Sequence, residues 1–223
     1  MDIVNIVISL FVLLFAITVH EASHAWAANK FGDPTAAALC RATLNPLAHI
    51  DPFGTVLLPL LLVLAHFPVF GWAKPVPVNP YNLRDPRRDN IWISAAGPLS
   101  NLAVAFVSFL GILLLKVVRP DIANFFSFSQ ENLPRGIYPL EGLFLVLYIA
   151  INVNTLLAVF NLIPVPPLDG SGVLMGLLPF EAAQRYEKIR PYGFIIVVGL
   201  IWLGVLNFIF RIIGLFINIF VFG

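Results

Sequence analysis

Charge is scarce in this sequence. Of its 223 residues, 11% are charged and 59% are hydrophobic, against roughly 25% and 45–50% in ordinary soluble domains. A water-soluble core of this size would leave too much apolar surface uncovered, so the composition excludes a conventional globular enzyme and points to lipid as solvent. Cysteine is nearly missing as well. Cys40 alone permits no intrachain disulfide and no cysteine-built metal site, and it reads as a small packing residue of the usually buried kind. There is no basic excess: the formal charge is +1, and no nucleic-acid partner is expected. Repeats, low-complexity tracts and stretches long enough for an appended soluble domain are also lacking.

What the chain does have is a series of apolar runs. Crossing a bilayer takes about 20 predominantly apolar residues, and stretches 3–28, 91–118, 140–163 and 194–220 meet that length. The first carries Asp2 and no basic residue at its start, and no small-x-small cleavage site precedes His20, so it reads as a retained span rather than a signal peptide. A fifth, shorter run, 53–70, contains Pro59, His66 and Pro68. The expected fold is an all-α polytopic membrane protein: four full transmembrane helices plus a re-entrant or short fifth hydrophobic element, in one integral-membrane domain over residues 1–223.

Basic residues in short loops mark the cytoplasmic side. They gather in three stretches: Lys30 and Arg41; Lys74, Arg84, Arg87 and Arg88; and Arg185, Lys188 and Arg190. The 119–139 loop holds only Arg119 and Arg135, beside Asp121 and Glu131. All three basic stretches are cytoplasmic if 53–70 enters and leaves on one side, which is tolerated where protein or a cavity covers the backbone. The alternative is a short fifth span. With four full spans, both ends of the chain are expected outside. Residues 74–80, Lys-Pro-Val-Pro-Val-Asn-Pro, favour an extended or polyproline conformation.

Against this apolar background, His20-Glu21-Ala22-Ser23-His24 stands out. On a helix, residues four apart share a face, so both imidazoles can reach one ion with Glu21 beside it. A catalytic zinc takes three protein ligands and keeps a fourth position for water; the metal lowers that water's pKa, and a neighbouring carboxylate takes its proton. Chance gives this five-residue pattern in roughly one unrelated chain per hundred or more. Near the end of an apolar span, where His and Glu are costly, it reads as functional.

Asp169 is the candidate third ligand. It ends Asn161-Leu-Ile-Pro-Val-Pro-Pro-Leu-Asp169-Gly170, where Pro164, Pro166 and Pro167 break the third span. A helix-capping role for Asp169, before a helix starting near Ser171, is the alternative. Membrane parity favours the ligand: the first and third spans run in the same direction, which brings the His pair and Asp169 to one depth near the cytoplasmic side.

The H-E-x-x-H, the late N-x-x-P-x-x-x-L-D-G and Gly97-Pro98-Leu99-Ser100-Asn101 together resemble the site-2 protease family of intramembrane metalloproteases. The resemblance covers residues 20–170, and the paired motifs are highly specific. It implies one zinc per chain held by His20, His24 and Asp169, with Glu21 as catalytic base. It also implies a transmembrane protein or peptide as substrate, cut in or near its membrane segment. It places Asn161 at the site, with Asn101 a second candidate. An Asn amide there can polarise the scissile carbonyl or steady the tetrahedral oxyanion, a role that suits Asn161. Asn101 reads more readily as a helix-packing hydrogen bond. Many relatives carry a PDZ or CBS-type domain, and neither is recognisable here. Two rival readings are a membrane metal transporter and an inactive relative that binds membrane segments. The first needs a succession of ligand sites, yet His49 and His66 are the only further histidines; the second is opposed by the intact Glu21.

Overall fold

The computed structural model describes residues 3–64, 71–122 and 139–222. Among them there are helices and no strand: α1 (Ile3–Lys30), α2 (Thr35–Ala38), α3 (Leu58–Leu64), α4 (Pro86–Val118), α5 (Pro139–Asn161), α6 (Asp169–Leu177), α7 (Phe180–Glu187), α8 (Gly193–Trp202) and α9 (Val205–Phe222). Four helices are long and apolar enough to cross a membrane: α1 from Asn5, α4, α5 and α9. They present large side chains such as Phe11, Leu114 and Phe208 outward, as expected where lipid tails are the solvent. The chain is an all-α, multi-pass integral membrane protein.

Helix α4 is the scaffold, packing against α1, α5 and α6. Its start is specified locally. The Asp85 carboxylate accepts from the Arg88 amide while the Asp85 amide donates to Asp89, and Pro86 occupies the first turn, where no donor is missed. Its 33 residues span about 50 Å at 1.5 Å each, more than a hydrocarbon layer of about 30 Å. Two buried clusters mark its ends. Ile112, Leu115, Phe144, Ile151, Ile217 and Val221 join α4, α5 and α9; Ala27, Ala28, Leu83 and Ile93 join α1 to α4 at the basic end.

Three details differ from the sequence expectation or settle it. The last apolar run is not one helix. Leu203 and Gly204 turn their amides to the carbonyls of Gly199 and Ile201, and Gly204 sits at φ +74, a left-handed stop that glycine adopts without steric cost. The membrane-length helix is therefore α9, with α8 separate before it. Cys40 is not a packing residue. It is exposed and lies just beyond α2 at φ 56, where its amide bonds Ala37. The 53–70 run begins with a wide π turn, Pro52–Leu57, and continues into the seven residues of α3; Trp72, two residues past the run, lies beside that first turn. The Trp72 amide donates to Gly54 and the Thr55 hydroxyl to the Trp72 carbonyl, 2.8 Å away. Ends joined by hydrogen bonds cannot lie on opposite faces of a layer about 30 Å thick, which excludes a full fifth span. His66 and Pro68 of this run lie outside the described residues.

The stretch 71–79 forms neither helix nor strand. It is tied down by Lys74 N–H to His49 O and by the buried Arg41, whose guanidinium donates to the carbonyls of Ala48, Lys74 and Pro75.

Candidate metal centre

His20 and His24 lie one turn apart on α1, and both are buried. Asp169 arrives from the far side, as the first residue of α6. His20 Nε2 is 3.1 Å from His24 Nε2 and 3.0 Å from Asp169 Oδ2; His24 Nε2 is 3.4 Å from the same oxygen. The structure thus brings together the three residues named as ligands from the sequence. The capping alternative for Asp169 fails: Leu168 occupies the cap position and no side chain caps α6.

The protons on both rings are accounted for. His20 Nδ1 lies 2.6 Å from Asn101 Oδ1, and His24 Nδ1 lies 2.7 Å from the Ile93 carbonyl. Both oxygens only accept, so each Nδ1 carries a hydrogen, and in the neutral form of either ring the lone pair is left at Nε2. Two lone pairs and a carboxylate oxygen then face a common point. Asp169 Oδ2 is buried with no hydrogen-bond partner, which is costly unless a cation compensates it. Ligands about 2.0–2.1 Å from a tetrahedral zinc stand about 3.3–3.4 Å apart, close to the three separations here. The set is one face of such a tetrahedron, and His Nε2 with carboxylate oxygen is a donor set zinc accepts. The same three residues are the one group of this kind among the described residues.

The scaffold makes room for this. A Cβ on Gly97 would fall 2.4 Å from His24 Nε2 and 2.6 Å from His20 Nε2, so only glycine lets α4 approach the two rings. Pro98 follows it and offers no amide to the Ser94 carbonyl, loosening the turn beside the Ile93 carbonyl that takes the His24 proton. On the other side, Gly172 packs against Ser94, where a Cβ would lie 2.1 Å from its hydroxyl, and Asn90 Nδ2 donates to the Gly172 carbonyl at 3.2 Å. Arg87 donates to the carbonyls of Gly176 and Leu178 at the far end of α6. Helix α4 therefore holds both the histidines and the helix bearing Asp169. The strap before Asp169 is pinned from behind. The Tyr186 hydroxyl donates to the Pro164 carbonyl at 2.9 Å; burial pushes its phenol above the usual range, so it remains a donor.

Of the remaining candidates, Glu21 is half-buried and next to His20 on α1. Asn161, half-buried at the end of α5, donates from Nδ2 to the Leu157 carbonyl; no hydrogen bond joins it to His20, His24 or Asp169 among the described residues. Asn101 packs helices, as read from the sequence, but it also holds the candidate ligand His20. Its Nδ2 donates to Ala16 O of α1 at 3.1 Å and to Asn154 Oδ1 of α5 at 2.8 Å, while its Oδ1 takes the His20 proton. Gly97 was read only as part of the Gly97–Asn101 segment, without this role, and Ile93 and Asn154 were missed. Gly97 and Asn154 left a signal, a glycine before proline and an amide inside an apolar span; a backbone carbonyl leaves none. His49 is buried elsewhere, with Nε2 2.9 Å from Thr43 O.

A bundle of apolar helices that converges two imidazoles and a carboxylate, with a glutamate beside them, defines the class of membrane-embedded metallopeptidases. The chain belongs to peptidase family M50, whose model matches residues 8–206. It is 39% identical over 184 residues to "Putative zinc metalloprotease YwhC" of Bacillus subtilis, covering 82% of this chain and 75% of that protein. It is 31% identical over 198 residues to "Putative zinc metalloprotease Rip2" of Mycolicibacterium smegmatis, covering 87% and 66%. "Putative zinc metalloprotease MJ0611" of Methanocaldococcus jannaschii matches at 32% over 108 residues, 48% of this chain and 45% of that one. No solved structure matches it.

Proposed function

We propose that this protein is a zinc metalloendopeptidase that hydrolyses peptide bonds in or near the transmembrane segments of other membrane proteins. The observation that carries the reading is the convergence of His20 Nε2, His24 Nε2 and Asp169 Oδ2 within 3.4 Å of one another, between the membrane-length helix α1 and the short helix α6. They would hold one zinc per chain. When bound, zinc would supply Lewis acidity, able to polarise a carbonyl and lower the pKa of a water. Glu21 accepts the proton of the attacking water on its carboxylate and passes it to the departing amide nitrogen. Asn101 and Ile93 keep the ring protons at Nδ1, leaving Nε2 of both histidines as ligand. Asn161 uses its amide to polarise the scissile carbonyl.

The site is set inside the bilayer near the cytoplasmic side. His24 and His20 precede Lys30 by six and ten residues, about 9 and 15 Å along a helix. Lys30, Arg84, Arg87 and Arg88 cluster at that end, and basic loops are cytoplasmic. Water reaches the site from there. A substrate helix must unwind locally, because its amides are otherwise locked in intrahelical bonds. The extended 71–79 stretch is a candidate to pair with the unwound backbone.

The test is detergent-purified protein with single-span membrane substrates, with and without a chelator. Glu21→Gln should abolish cleavage while zinc stays near one per chain. Cleavage that survives this substitution removes Glu21 as base, and cleavage that survives complete zinc removal removes the mechanism. The transporter reading has less support, since no second ligand cluster continues a path among the described residues.

A further inference from the structure

We propose that Asn154 is a positioning residue for the metal centre, acting on His20 through Asn101. Asn101 and Asn154 are both fully buried in apolar helices, where an amide is retained only if its hydrogen bonds are met. They form a directed chain across three helices. His20 Nδ1–H of α1 donates to Asn101 Oδ1 of α4 at 2.6 Å. Asn101 Nδ2–H donates to Asn154 Oδ1 of α5 at 2.8 Å. Asn154 Nδ2–H donates to the Ala150 carbonyl at 2.9 Å.

Each link sets the direction of the next. The Ala150 carbonyl can only accept, so it turns the Asn154 NH2 toward itself and leaves Oδ1 facing Asn101. That oxygen, with the Ala16 carbonyl 3.1 Å away, claims both amide hydrogens of Asn101. Asn101 must then present its oxygen to His20, which keeps the ring proton at Nδ1 and the lone pair at Nε2, toward Asp169. Without Asn154, the Asn101 amide loses one of the two acceptors that orient it. Turned over, it presents NH2 to His20 and suits the opposite tautomer, with hydrogen at Nε2 and no ligand atom facing the metal. Asn154 itself has no hydrogen bond to His20, His24 or Asp169 among the described residues, so its influence runs through the amide alone. Partners that orient a ligating histidine typically alter metal affinity by about 10–100-fold when removed.

The inference rests on the reading of His20 as a zinc ligand, and zinc affinity tests both separately from proteolysis. The full chain is purified in detergent, and the zinc Kd is measured by competition with a fluorescent chelator. Asn154→Leu should weaken binding about 10–100-fold. Asn154→Asp should keep wild-type affinity, because a buried carboxylic acid stays neutral and reproduces both bonds, with its carbonyl accepting from Asn101 and its O–H donating to Ala150. Asn101→Leu with Asn154→Leu should bind no more weakly than Asn101→Leu alone, since the second change acts through the first. Wild-type affinity in Asn154→Leu overturns the proposal, as does an equal loss in Asn154→Asp or a full Asn154 effect in the Asn101→Leu background. Where Asn154→Leu does not fold, Asn154→Ala takes its place against Asn154→Asp. A wild-type chain that binds no zinc overturns the ligand reading, and the inference with it.

Discussion

Replacing Gly97 by alanine adds one methyl group at the point where α4 meets the two histidines. Built on the existing backbone, that carbon lies 2.4 Å from His24 Nε2 and 2.6 Å from His20 Nε2, about 1 Å inside van der Waals contact. The rings cannot simply swing aside and keep Nε2 turned toward Asp169. Each is held at its other nitrogen, by Asn101 and by the Ile93 carbonyl, and a bound metal would hold the near side as well. Without metal, a ring can move at the cost of its Nδ1 bond; with metal, α4 must recoil instead. Overpacking of this kind costs about 1–3 kcal/mol, and each 1.4 kcal/mol is about tenfold in affinity. Gly97→Ala should therefore weaken zinc binding roughly 5–150-fold and lower proteolysis accordingly at limiting zinc. The assay is chelator competition on purified protein. Gly199→Ala serves as control, since a Cβ there meets nothing within 4 Å. Wild-type zinc affinity in Gly97→Ala would refute the close approach of α4 to the rings.

Three further outcomes follow from the same geometry. Zinc at about a thousand times its Kd should stabilise the protein by about 4 kcal/mol, seen as a rise in the unfolding temperature over chelator-treated protein; the rise should vanish in His24→Ala. Gly193→Ala puts a Cβ 1.9 Å from the Pro166 carbonyl, in the strap leading to Asp169. It should lower stability by about 1–3 kcal/mol and weaken zinc binding, and an unaffected Kd would show that the strap tolerates displacement. At Asp33, burial pushes the carboxyl up, but hydrogen bonds from Asn82, the Thr35 hydroxyl and the Asn79 and Thr35 amides outweigh it and hold the pKa below its usual value. A depressed pKa stabilises the fold above the unfolded value near 4 and ceases to do so as pH falls through the lower folded value. Wild type should thus unfold at a higher temperature than Asp33→Asn at pH 6, with the difference closing on acidification; a constant difference would remove the charge from the explanation.

The apolar runs, their lengths and the prolines that end them made the membrane helices legible in the sequence, because each depends on one segment and its solvent. The two histidines were legible for a similar reason: a spacing of four places them on one face of any helix. What the sequence left open were matters decided between segments. The break at Gly204 was hidden in a run that stays apolar on both sides, since hydropathy does not report a left-handed residue. Cys40 went to the surface because the turn after α2 places it there, whatever its chemical preference for burial.

Asp169 could be read as a cap or as a ligand, and only the path of the strap aims its carboxylate at the imidazoles. The orientation of those rings depends on a backbone carbonyl of α4 and on an amide pair spanning α4 and α5, whose partners lie 69, 81 and 53 residues apart along the chain. Local chemistry names the candidate metal-binding groups. Their shared point, their tautomers and the space between them arise only when α1, α4, α5 and α6 pack, because hydrogen-bond direction and steric fit are properties of contacts across helices.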